Sequence, residues 1–164
     1  VLMLLESFVW ASPLVMFSVV LFRGISDGSS LAAWTDAVLV SAVLPDWRSS
    51  LLISIGAGIY EELLFRLIGI ALLHALLREL LGMGRVASAW GAIGLSAIAF
   101  ALYHYTASDI GNLLALDSFS LGFLFFATLA GVYFGAIFVM RGFGIVVVTH
   151  ALYDIVVTTA RYWG

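Results

Sequence analysis

The chain contains no cysteine among its 164 residues. That excludes disulfides, thiolate nucleophiles and Cys-ligated metal sites, and it leaves the redox compartment unread. Lysine is absent too: all seven basic residues are arginine, and nothing in the sequence gives a physical reason for it. Charge is scarce altogether. Charged residues make up 10% of the chain and the formal net charge is −3, too small to imply an ionic partner, and nothing points to nucleic acid. A soluble domain carries about 25% charged and roughly 45–50% apolar residues. Here 63% are hydrophobic and the mean hydropathy is +1.15. Most apolar stretches also lack the polar face of a helix on a water-soluble core. These absences define an integral membrane protein.

What the sequence does have is long apolar runs. A membrane helix needs about 20 mostly apolar residues, and five runs meet this, at roughly 2–22, 50–76, 86–105, 119–140 and 142–160. A sixth, about 31–45, is short and carries Asp36; a tilted span, a re-entrant segment and an interfacial helix all fit it. The runs are too long for strands and show no period-2 alternation. No internal repeat or linker divides them. The expected fold is therefore all-α, a polytopic transmembrane bundle of about six helices forming one unit over 1–164. The first run lacks a basic n-region and an A-x-A-type site, so it is expected to stay as a helix rather than leave as a signal peptide. With six crossings, Arg23, Arg78, Arg85 and Arg141 share one face, and Arg48 and Arg161 the other. Four against two marks the first face as cytoplasmic.

Ionisable residues at membrane depth are expensive and mark functional sites. Glu6 and Asp36 stand near segment ends, within reach of the interface, and His74 is expected at the interface by the arginine-rich 78–85 connector. The others form three i,i+4 sets. "EELLFR" holds Glu61, Glu62 and Arg66, with Glu62 N-terminal to Arg66, the better orientation for a helical ion pair. "FALYH" puts Phe100 and His104 on one face, and "HALYD" does the same for His150 and Asp154. Glu61 and His150 lie at similar distances from Arg48 and Arg161, so the expected site sits nearer the face carrying those two arginines.

These segments fit E-E-x-x-x-R, F-x-x-x-H and H-x-x-x-[ND], in order and on successive membrane helices. The chain thereby resembles the CAAX-protease and bacteriocin-processing family, also called Abi, of intramembrane proteases. The resemblance covers about 50–160, with 1–45 as accessory membrane helices. The stretch "GVYFGAIFVMRGFGIVVVTHALYD" is similar to the family's final motif. The resemblance implies Glu61 as the general base that takes a proton from water, and His104 as the residue holding that water. It implies His150 and Asp154 as stabilisers of the oxyanion, and Glu62 with Arg66 as a supporting pair. Asp154 departs from the common asparagine; ionised beside an oxyanion it would repel it, so it is protonated or acts by orienting His150. The implied substrate is a membrane-anchored protein, lipidated or carrying a sorting tag, cut near its C-terminus within the bilayer. The implied setting is a bacterial inner membrane.

The residues support this chemistry independently. Peptide hydrolysis needs an activated water, an electrophile stabiliser and a proton donor for the leaving amine. No Ser or Cys stands at a motif position beside a histidine, which disfavours a covalent nucleophile. Glu61, His104 and His150 also form a His₂Glu set suited to zinc. Because H-E-x-x-H is lacking, the expected mechanism is glutamic and cofactor-free, with zinc as the alternative. Two other classes fit the buried charges: a proton-coupled transporter and a non-catalytic immunity protein. The small number of spans and the lack of repeated halves count against the first.

Overall fold

The computed structural model describes residues 2–25, 47–104 and 118–163, which are helical apart from a turn at 80–84 and short links, with no strand among them. Among the described residues six α-helices follow in order: α1 Leu2–Ile25, α2 Trp47–Glu61, α3 Ala71–Glu79, α4 Arg85–Tyr103, α5 Ser118–Arg141 and α6 Phe143–Trp163. A π-helix, Glu62–Ile70, joins α2 to α3, so residues 47–79 form one helical rod. The five long apolar runs thus become α1, this rod, α4, α5 and α6.

Among the described residues four helices are long and apolar enough to cross a membrane: Leu2–Leu21, Arg85–Tyr103, Leu121–Arg141 and Phe143–Ala160. The remaining apolar run, 50–76, is the composite rod, broken by the π-helix and carrying Glu61, Glu62 and Arg66. The expected segment 31–45, with Asp36, lies outside the described residues.

Helices in lipid gain little from hydrophobic association, so close packing at small residues and interhelical hydrogen bonds must hold them. Both are present. A Cβ added to Gly131 of α5 would lie 2.8 Å from the Ala97 Cα of α4; only glycine lets these backbones approach so closely. Ser54 of α2 and Thr158 of α6 share a hydroxyl hydrogen bond of 3.0 Å. On α1, the Ser7 hydroxyl donates to the Ile145 carbonyl at 3.3 Å, and the Trp10 carbonyl accepts from the Tyr133 hydroxyl at 2.7 Å. Phe126, Phe134, Ile137, Val146 and Val157 fill the core between α5 and α6. Ile70 and Leu77 of the rod form a second cluster with Ala92 and Ile93 of α4. Leu52, Leu72, Val86 and Val139 point outward, as lipid-facing positions do.

The contacts also correct the expected orientation of α1. Ser7 meets Ile145 and Glu6 meets Arg141, so the N-terminus of α1 lies at the face where α5 ends. Phe17 stacks on Phe126, and α1 therefore runs parallel to α6. The helix end that carries Arg23 then joins Arg48 and the Arg161 end of α6, not Arg78, Arg85 and Arg141. The arginine count becomes three against three and no longer favours either face as cytoplasmic.

Candidate functional site

The rod places its two adjacent acids at the point where α-helix becomes π-helix: Glu61 ends α2 and Glu62 opens the π segment. One turn earlier, Gly58 lies against α6, and a Cβ on it would stand 3.0 Å from the Ala151 nitrogen and 3.2 Å from its Cα. Backbone cannot yield as a side chain can. Gly58 thereby lets α2 approach α6 beside the His150 motif. His104 follows the last residue of α4, near the face where α2 begins and α6 ends.

The three motifs meet. His104 Nε2 lies 3.6 Å and His150 Nε2 3.8 Å from the same Glu61 oxygen, Oε2. Asp154 Oδ2 is 3.6 Å from His150 Nε2. Glu61, Glu62, Arg66, His150 and Asp154 are all buried. The other ring nitrogens fix the tautomers. His104 Nδ1 is 2.8 Å from the Phe100 carbonyl, which can only accept, so Nδ1 carries the proton and a neutral ring turns its Nε2 lone pair toward Glu61. His150 Nδ1 donates to Glu62 Oε1 at 2.8 Å.

Glu62 is the hub of the support. Its second oxygen lies 3.1 Å from Arg66 Nε, so one carboxylate joins the rod's arginine to the histidine of α6. The sequence pointed to the Glu62–Arg66 pair but not to its link with His150. Arg66 is further held over the Phe100 ring, with Cζ 4.1 Å from the centroid, and 5.4 Å from that of Phe134. Cation–π contact partly replaces lost hydration. Phe134 also stacks on His150, with centroids 4.6 Å apart and planes at 23°. Neither Phe134 nor Gly58 was identified from the sequence, although Phe134 lies within the glycine-rich stretch before His150; aromatic residues are too common in apolar helices for one to stand out.

The remaining candidates lie elsewhere. His74 is half-buried on α3, toward the 80–84 turn. Glu6 pairs with Arg141, whose Nη2 is 2.8 Å from Glu6 Oε2, and takes a 3.3 Å hydrogen bond from the Trp10 indole. Among the described residues no three His, Asp or Glu side chains are arranged to hold a metal ion; Glu61, His104 and His150, the set offered for zinc, meet pairwise at one carboxylate oxygen.

No curated protein and no solved structure matches the chain significantly. A family profile described as Type II CAAX prenyl endopeptidase Rce1-like matches residues 43–156, a span that holds all three motifs and leaves out α1. With its motif helices gathered around one polar centre and most of its length matched, the chain belongs to the Type II CAAX prenyl endopeptidase Rce1-like family, and with it to the CAAX-type intramembrane proteases.

Proposed function

We propose that the chain is a glutamic-type endopeptidase that cuts a membrane-anchored protein near its C-terminus, with a lipidated or sorting-tagged protein as substrate and a bacterial inner membrane as the setting. One observation carries this reading: Glu61 Oε2 faces the Nε2 atoms of two histidines from two other helices, at 3.6 and 3.8 Å. Those separations exceed a direct hydrogen bond, and the three groups bracket a position that a water can take once the side chains part slightly. A neutral His104 Nε2 and an ionised Glu61 are both acceptors, so one water can donate a proton to each.

In the reaction Glu61 takes a proton from that water as its oxygen attacks the scissile carbonyl carbon. His150, with Nδ1–H committed to Glu62, turns Nε2 toward the new oxyanion and, protonated there, donates to it. Asp154 fixes the ring from the other side and is itself neutral or balanced by the imidazolium. The C–N bond then breaks as the leaving amine takes the proton held by Glu61. Glu62, Arg66 and Phe100 hold this geometry without touching the reacting atoms. No step needs a metal.

Cleavage of a farnesylated CAAX-tailed reporter by the chain in liposomes tests the reading. Glu61→Gln and His104→Ala should each lower the rate by roughly 10²–10⁴, and a zinc chelator should change nothing. Cleavage that survives either substitution removes the mechanism. Chelation that stops it, with recovery on added zinc, transfers the same residues to a metalloprotease.

A further inference from the structure

The mechanism gives no reason for the π-helix. Such helices, with i→i+5 bonds, occur mostly as single-turn bulges and often at functional sites; this one runs nine residues, from Glu62 to Ile70. It begins at Glu62, directly after Glu61. Turning one π turn back into α-helix shifts the register by a residue, and each helical residue spans about 100°. The rod is held at both ends. Gly58 and the Glu62–His150 bond hold the upper part to α6, and Ile70 and Leu77 pack the lower part against Ala92 and Ile93 of α4. The π segment sets the rotation between those ends.

At the middle of the segment α4 supplies a polar contact. The Ser96 hydroxyl donates to the Phe65 carbonyl at 2.6 Å, using the second lone pair of an oxygen that the helix ladder needs only once. Ser96 is buried. Gly69 faces it: a Cβ there would lie 3.7 Å from Ser96 Oγ and 3.1 Å from the Leu64 carbonyl oxygen. Ser96, Phe100 and His104 recur at intervals of four and share one face of α4. That face grips the rod at successive levels. Ser96 takes the Phe65 backbone, Phe100 takes the Phe65 ring edge-on at 5.6 Å and underlies Arg66, and His104 faces Glu61.

We propose that Ser96 is a positioning residue for this site: by bonding the Phe65 carbonyl it keeps the π segment from closing to α-helix, and so fixes the rotation at which Glu61 meets His104 and His150. The role at Glu61 rests on the glutamic reading above; the rotation itself does not. A hydroxyl that served only to join two helices would leave the rotation unchanged.

The chain has no cysteine, so single spin labels can be introduced at Ile59 and at Leu72, lipid-facing positions on either side of the π segment. Oxygen accessibility is read in liposomes, beside cleavage of the farnesylated reporter. In Ser96→Ala one of the two labels should lose its lipid-type accessibility as its end of the rod turns by about 100°. kcat should fall roughly 10²-fold, as for a misplaced reacting group, with KM unchanged. Ser96→Thr keeps the donor and should keep both signals. Ser96→Val, with the shape of threonine and no hydroxyl, should behave as Ser96→Ala, and the Thr/Val pair carries the comparison if the alanine variant does not fold. Ser88→Ala is the control, since among the described residues that buried hydroxyl bonds within its own helix, to the Arg85 carbonyl. Unchanged accessibility in the Ala and Val variants overturns the proposal whatever the cleavage rate. If the parent chain cleaves nothing, the peptidase reading fails while accessibility still decides the role of Ser96.

Discussion

Of the glutamate–arginine pairs among the described residues, two stand in opposite surroundings. Glu6 and Arg141 join α1 to the end of α5 with side chains 29% and 49% exposed, whereas Glu62 and Arg66 sit within the rod at 0% and 1%. The outer pair can exchange its partner for water or lipid headgroups at little cost. The inner pair cannot: burying both charges costs several kcal/mol per ion before their attraction is counted. A hydrophobic pair would fill the same space without that penalty. Burial on these terms is therefore informative, and the inner pair shows what it secures, because the Glu62 carboxylate also holds His150 at 2.8 Å. The outer pair reaches no group of the polar centre.

The strongest test of this contrast removes one inner partner. Arg66→Met leaves Glu62 buried beside His150 without its cation and should destabilise the fold by about 3–5 kcal/mol, read as earlier unfolding in a denaturing-detergent titration. Cleavage should be lost as well. Adding Glu62→Gln should recover part of the stability, since no uncompensated charge then remains, but not the cleavage, because a neutral amide holds His150 more weakly. Full recovery of both would reduce the inner pair to a structural element like the outer one.

A smaller effect is expected from disturbing the inner assembly without changing any charge. In Gly58→Ala the new methyl meets the Ala151 nitrogen at 3.0 Å, and α2 must move away from α6. Glu62 and His150 then separate, while Glu61 and His104, on the rod and α4, stay together. Overpacking of this kind typically costs about 1–3 kcal/mol. Reporter cleavage should fall more than stability does, and the outer pair, on α1 and α5, should be unaffected. A variant that cleaves like the parent would show that His150 needs no close support from the rod.

Much of this centre was legible because charge is rare in the sequence. In a chain with 10% charged residues, an i,i+4 pairing of Glu62 with Arg66 or His150 with Asp154 stands out, and apolar length alone set the helix boundaries to within a few residues. The support was not legible. Gly58, Ser96 and Phe134 are residue types that membrane helices use everywhere, and their meaning comes from what lies across the helix interface. The π segment leaves no sequence signal of its own, since its apolar residues serve an α-helix equally well. The orientation of α1 was misjudged because a count of arginines depends on the number of crossings, and the contact between Glu6 and Arg141 is the observation that corrected it.

The smallest effect is expected at the outer pair itself. Glu6→Gln removes the charge while keeping an acceptor for the Trp10 indole. Three other contacts keep α1 in place: the Tyr133 hydroxyl on the Trp10 carbonyl, Ser7 on the Ile145 carbonyl and the stacking of Phe17 on Phe126. Cleavage should not change measurably. Any loss of stability should disappear as salt rises from low to physiological concentration, since exposed charges are screened over roughly 8–10 Å there, whereas the effect of Arg66→Met should persist. If Glu6→Gln instead abolished cleavage as thoroughly as Arg66→Met, exposure would not separate the two pairs. The residues before the matched span would then belong to the catalytic unit, with α1 holding α6, and so His150, at its working depth.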